Sequence, residues 1–234
     1  MLSALPLGRF CPTEKELQRS QNLFPVAGLI FGAIFYGIAL LLAAFCAPLP
    51  AAMLLALLPE ALTKGFHLDG LADTSDGFLS GRPLERKLEI MHDSRIGTMG
   101  VAAIVALLGM KFALFASFPA DRLAAAAGLM MLGGRCGIVF YTAMSRCARP
   151  NGLGAIWFRP PKPVAGIILA LLLPSVAGCF FFGIPGAFAG PLLLLFAFLW
   201  SRITARVIHG ATGDTIGCGE ELGELLILAG ALAA

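Results

Sequence analysis

Residues 23–45 read LFPVAGLIFGAIFYGIALLLAAF, without one charged side chain. A helix needs about 20 mainly apolar residues to cross the hydrocarbon core of a bilayer, so this stretch predicts a membrane span. The whole composition agrees. Of 234 residues, 58% are hydrophobic and 13% charged, with a mean hydropathy of +0.86; soluble domains carry about a quarter of their residues charged. The opening MLSALPLGRFCPTEKELQRSQ lacks a continuous apolar core, so no cleavable signal peptide is expected.

Further apolar runs lie at about 51–63, 97–119, 123–145, 163–182, 184–200 and 216–234. Together with residues 23–45 they predict about seven crossings. The run at 51–63 is short and contains Pro59 and Glu60, so it is expected to continue into the acidic stretch after it as a broken or shallow helix. RPLERKLEIMHDSRI, residues 82–96, is charged but spaces Leu84, Leu88 and Met91 helically, which predicts a short amphipathic helix at the membrane surface. Glycines in GAIFYG and GVAAIVALLG suit close contact between helices.

Cytoplasmic loops of membrane proteins are enriched in Lys and Arg. Here Arg9, Lys15 and Arg19 precede the first run, and Lys64, Arg82, Arg86, Lys87 and Arg95 lie in 64–96. Arg146, Arg149, Arg159 and Lys162 lie in 146–162, and Arg202 and Arg206 in 201–215. The alternate loops, near 46–50, 120–122 and 183, contribute only Arg122, while Lys111 and Arg135 fall inside apolar runs. This bias predicts the N-terminus inside, the last crossing ending outside, and His67, His92 and His209 on or near the cytoplasmic side. The expected fold is all-α: one domain, residues 1–234, forming a polytopic membrane helical bundle. Cys11, Cys46, Cys136, Cys147, Cys179 and Cys218 are scattered without a C-x-x-C pair, so neither zinc nor a disulfide framework is expected.

HLDGLADTSDG, residues 67–77, breaks the apolar character sharply. On a helix of 100° per residue, Asp69, Asp73 and Asp76 fall within about 60° of arc. Like charges at that spacing destabilise a helix, and a divalent cation relieves them. Carboxylate oxygens suit Mg²⁺ or Mn²⁺, which retain waters and bind substrate phosphates. The plainer reading is a solvated acidic loop. His67 lies about 160° around the helix from Asp69, which leaves it a candidate base or a structural hydrogen-bonding residue.

A second acidic cluster, TGDTIGCGEELGELL at 212–226, places Asp214, Glu220, Glu221 and Glu224 at the mouth of the last run. Ionisable residues there are functional candidates, although acids also favour any helix start. Between the clusters, MHDSRIGTMG offers Asp93 as a ligand or base, Arg95 as a phosphate clamp, and Gly97 and Gly100 for close approach of backbone to a ligand. Arg135, in GGRCG, requires a carboxylate or phosphate partner. Carboxylate-held metal with arginines suits phosphoryl transfer from a nucleotide-activated donor to an alcohol.

HLDGLADTSDG followed by KLEIMHDSRIGTMG resembles the adenosylcobinamide-GDP ribazoletransferase, or cobalamin (5′-phosphate) synthase, family. LFPVAGLIFG near the start, RPNGLGA at 149–155 and GATGDTIGCGEELGELLIL at 210–228 extend the likeness over nearly the whole chain. The resemblance implies joining of adenosylcobinamide-GDP to α-ribazole or α-ribazole 5′-phosphate with release of GMP. It also implies a Mg²⁺ requirement and residence in the bacterial cytoplasmic (inner) membrane, with the site facing the cytoplasm. The family's signatures map onto Asp69, Asp73 and Asp76, onto Asp93 and Arg95, and onto Asp214, Glu221 and Glu224.

The expected site thus has Asp69, Asp73, Asp76 and Asp214 at the metal, and Asp93 and His67 as catalytic groups. Lys64, Arg95, Arg135, Glu221 and Glu224 are expected at the substrates, with both acidic clusters facing one cavity. Lys64 and Phe66 in EALTKGFHLDG stand where a more glycine-rich approach is expected. Besides the substrates the expected partner is membrane lipid, with no nucleic acid; self-association into a homo-oligomer is left open.

Two other readings compete. DTSDG matches the opening D-x-x-D-G of the CDP-alcohol phosphotransferase signature, but FLSGRPLERKLEIMHD does not supply the A-R and spaced aspartates that should follow. An ion-coupled transporter also uses intramembrane acids and broken helices. This sequence has no internal repeat, and its charges cluster towards one face.

Overall fold

The computed structural model describes residues 13–149 and 152–234. Expectations for the opening residues, Arg9, Cys11 and positions 150–151 of RPNGLGA lie outside them. Among the described residues the chain is helical, with one isolated bridge between Cys147 and Ala211 in place of any strand. The helices are α1 (Glu14–Arg19), α2 (Phe24–Phe45), α3 (Pro48–Thr63), α4 (Phe66–Leu79), α5 (Leu84–Ile90), α6 (Thr98–Ser117), α7 (Ala120–Met144), α8 (Val164–Gly186), α9 (Ala189–Ile208) and α10 (Gly213–Ala233).

Each apolar run became a helix, but the expected seven crossings do not all pass as spans. Among the described residues, five segments are long and apolar enough: Glu14–Phe45, α6, α7, α8 and α9. α3 and α4 meet at 92° and pass the same test only as a bent pair, the shape of a broken span or a re-entrant loop. The bend lies at Lys64 (φ 54°) and Gly65 (φ 68°), both left-handed, a conformation that glycine adopts freely and lysine does not. It falls where a glycine-rich approach was expected. α10, at 21 residues, is long enough but carries four carboxylates and is packed inside the bundle.

α7 is the axis. It is rich in Ala and Gly, is buried along nearly its whole length and touches α2, α8, α9 and α10. The small residues allow backbones to meet: a Cβ on Gly32 of α2 would stand 2.7 Å from the Gly128 carbonyl oxygen. GAIFYG therefore does serve helix contact through Gly32, whereas Gly37 and Gly109 face open space. The outward faces are apolar, with Leu41, Val176 and Phe180 more than 60% exposed. Helices that satisfy their own backbone and turn apolar side chains outward suit lipid, so this is a multi-pass membrane protein.

The basic segments gather at one end. Gln18 and Gln21 donate to the carbonyls of Arg159 and Trp157, both at 2.7 Å. Ala211 N donates to Arg146 O and Ala148 N to Ala211 O, both at 2.8 Å. Arg149 in turn donates to the Leu88 carbonyl of α5. Segment 201–215 is not all loop: α9 runs on to Ile208, so Arg202 and Arg206 sit on its last turns. The surface helix is shorter than expected, and Met91 is buried against Gly77.

Candidate active site

α10 begins with a capping box in which Thr212 and Thr215 satisfy each other's backbone N–H groups, leaving Asp214 in the first turn. α4 crosses it at backbone contact: a Cβ on Gly70 would lie 2.7 Å from the Asp214 carbonyl oxygen. The crossing draws carboxylates from two helices together. Asp69, Asp214 and Asp76 all act on the charge of Asp73, offset by Arg149. Arg149 Nη1 lies 3.6 Å from Asp214 Oδ2, and the Thr212 hydroxyl donates to the same oxygen at 3.2 Å. Asp69, Asp214, Arg149, His92, Phe66 and Trp157 line a cavity of about 250 Å³ at this end of the bundle.

Asp76 is occupied differently. Its two oxygens accept from the backbone N–H groups of Gly97, at 2.7 Å, and Gly100, at 2.8 Å, and so cap the otherwise open N-terminus of α6. Gly97 and Gly100, expected to admit a ligand, instead admit this carboxylate: a Cβ on either would stand 2.5 Å from an Asp76 oxygen.

The second acidic cluster divides. Asp214 joins the stripe; Glu221 and Glu224 do not. Lys111 Nζ, fully buried, lies 2.6 Å from Glu221, 2.8 Å from Glu224 and 3.1 Å from Glu60. Arg135 hydrogen-bonds Glu224 and stands 2.7 Å from Glu220 Oε1 off the N–H direction, a contact that is ionic rather than hydrogen-bonded. Its guanidinium also lies over the Phe31 ring. Arg135 thus has the carboxylate partner it required, inside the bundle. The reason is depth: Glu221 is seven residues beyond Asp214, on the same side of the helix but about 10 Å further along its axis.

His67 is buried and its Nδ1 lies 2.6 Å from Glu220 Oε2, so it faces α10 and not the acidic stripe. His67, Glu220 and Glu221 have ligand atoms within 4.8 Å of one another. Lys111 and Arg135 already stand where a metal ion would balance those acids. Asp93 and Arg95 pair with each other at 2.7 Å on the surface, with Arg95 87% exposed. Arg95 holds the Asp93 carboxyl low, at about 2, through side-chain and backbone hydrogen bonds. Lys64 is exposed at the α3–α4 bend.

Arg149 and His92 entered the sequence reading only as members of charged segments, yet they line the cavity. RPNGLGA carried the signal for Arg149. Lys111, Glu60 and Glu220 form the interior network; a lone lysine in an apolar run was the visible sign of it.

The family model described as cobalamin-5-phosphate synthase matches residues 1–232. The chain belongs to this family. It is 36% identical over 229 residues to an adenosylcobinamide-GDP ribazoletransferase of Clostridium botulinum (strain Okra / Type B1), covering 96% of this chain and 91% of that one. The protein of the same name from Klebsiella pneumoniae (strain 342) is 37% identical over 220 residues, 92% of this chain and 87% of its own. That of Roseiflexus sp. (strain RS-1) is 36% identical over 232 residues, 97% and 85% respectively. No solved structure matches.

Proposed function

We propose that this chain joins adenosylcobinamide-GDP to α-ribazole or α-ribazole 5′-phosphate at the cytoplasmic face of a bacterial inner membrane. Membership of the family and the names of its relatives support the reaction. The ribose 3′-hydroxyl attacks the phosphorus attached to cobinamide, the bond to the GMP oxygen breaks, and a phosphodiester forms as the hydroxyl proton is lost.

The observation that carries the site is the meeting of Asp214 with Asp69 and Asp73 across the α4–α10 contact. Oxygen donors from two helices, crowded together with Arg149 close to Asp214, fit a hard divalent cation such as Mg²⁺. When bound, that ion would neutralise charge on the transferring phosphate. Asp69, Asp73 and Asp214 would hold it. Arg149, opening on the same cavity, is placed to pair with donor phosphate oxygens. Asp76 contributes by fixing α6 against α4. The gathering of the basic segments at one end supports the cytoplasmic orientation.

The test is GMP release and corrinoid product formation by purified protein in detergent or proteoliposomes with both substrates and Mg²⁺. GMP should appear only when donor and α-ribazole or its phosphate are both present. Absence of GMP release from folded protein under those conditions would refute the reading.

A further inference from the structure

Asp69, Asp73 and Asp214 repel one another, yet the helices that carry them approach to backbone contact at glycines. Gly70 lies against the Asp214 backbone and Gly217 against His67 Cα. The restraint lies deeper along α10. Glu220, one turn beyond Gly217, takes the His67 contact at 2.6 Å, and Lys111 ties Glu221 and Glu224 of α10 to Glu60 of α3. The crossing point therefore stands between the acidic site on one side and this buried anchor on the other. The His67–Glu220 contact joins α4 to α10, and Lys111 of α6 joins α10 to α3.

We propose that His67 and Lys111 are positioning residues, which hold α10 in the register that sets Asp214 beside Asp69 and Asp73. Neither touches the substrate cavity. In a water-poor interior no solvent molecule can replace a lost partner, so losing either contact leaves the crossing free to slide and spreads the three carboxylates. This rests on the metal reading above and assigns it two residues outside the cavity.

The test is a Mn²⁺ titration of the purified full chain in detergent without substrate, followed by electron paramagnetic resonance of the free ion. His67→Leu and Lys111→Met should each weaken Mn²⁺ binding about tenfold or more, the usual size of an outer-shell loss. His67→Asn, which keeps an N–H donor near the Nδ1 position, should return affinity to within about threefold of the parent chain. Wild-type affinity in His67→Leu and Lys111→Met, with only a lowered Tm, would overturn the proposal and leave the network a packing device. His67→Asn binding Mn²⁺ as weakly as His67→Leu would overturn the part given to His67. Should Lys111→Met not fold, the two His67 variants decide. A parent chain that binds no Mn²⁺ would remove the metal reading itself and this inference with it, a result distinct from loss of coupling.

Discussion

Lys111 Nζ stands 2.6 Å from Glu221 Oε2 in the interior of the bundle, with both side chains closed to solvent. Removing one partner of such a pair costs about 3–5 kcal/mol because the other charge stays buried. Lys111→Met should therefore lower the apparent Tm in detergent sharply, and Lys111→Arg should lower it less. Glu221→Gln added to Lys111→Met should recover part of the loss by removing one orphaned charge. Unchanged melting of Lys111→Met would show that the network contributes little to stability.

Asp69 and Asp214 should be the most sensitive acids. Asp→Asn at either should leave expression and melting near normal and cut turnover at least about a hundredfold, as loss of an essential electrostatic group does. Chelation should abolish activity, with recovery on adding Mg²⁺ or Mn²⁺. Asp76→Asn should behave differently, since an amide has one acceptor oxygen for two N–H groups. It should lower the Tm, by an amount near the ~1 kcal/mol of a lost cap. Equal loss of turnover without loss of stability at Asp76 would restore it to the metal set.

Asp93 was a candidate catalytic group, and its surroundings argue against a base. Hydrogen bonds from Arg95 hold its carboxyl at about 2 rather than the usual 3.8. A depressed carboxyl contributes any stability above its unfolded value and loses it only as pH falls through about 2. It is ionised, and a weak proton acceptor, throughout the working range. Asp93→Asn should therefore leave the acid limb of the pH–rate profile in place between about pH 5 and 8. A shift of that limb would return Asp93 to the chemistry.

Arg149 should act on the donor. Arg149→Ala should raise KM for adenosylcobinamide-GDP about tenfold or more, because a guanidinium offers paired donors to phosphate oxygens. Lys at the same position should restore only part of the affinity, since an ammonium binds as a point charge. An unchanged KM would leave Arg149 as a brace between Asp214 and the Leu88 carbonyl.

The orientation can be read by labelling single cysteines in a cysteine-free background. Positions 64, 159 and 206 should react from the cytoplasmic side, and position 121, at the start of α7, from the other. Labelling of position 64 from outside would invert the topology and separate the site from its nucleotide-bearing substrate.

Much of this was legible in one dimension because lipid imposes a simple rule on sequence. Apolar length fixed the position of α2, α6, α7 and α8, and even the break at Gly183 fell between two expected runs. Asp214 was legible as a partner of Asp69 because both open helices at the same end. Glu221 shares its angular position, and angle alone could not reveal that depth had carried it to Lys111, 110 residues away in the chain. The capping role of Asp76 was hidden because nothing in HLDGLADTSDG shows that α6 would bring two N–H groups to it. The α3–α4 corner depended on a left-handed lysine, a conformation that composition does not announce.

Arg135 finds Glu224 only 89 residues later in the chain. During synthesis, α7 therefore reaches the translocon with a guanidinium that has no carboxylate to meet, at an insertion cost of about 3 kcal/mol for a charge at the centre of a helix. Lys111 on α6 already has Glu60 of α3 behind it in the chain, but its contacts to Glu221 and Glu224 wait for α10. Until the last helix is made, Arg135 lacks its carboxylates Glu220 and Glu224, and Lys111 has one of its three. A chain interrupted before α10 would present those cations to membrane quality control, so biogenesis and catalysis depend on the same helix.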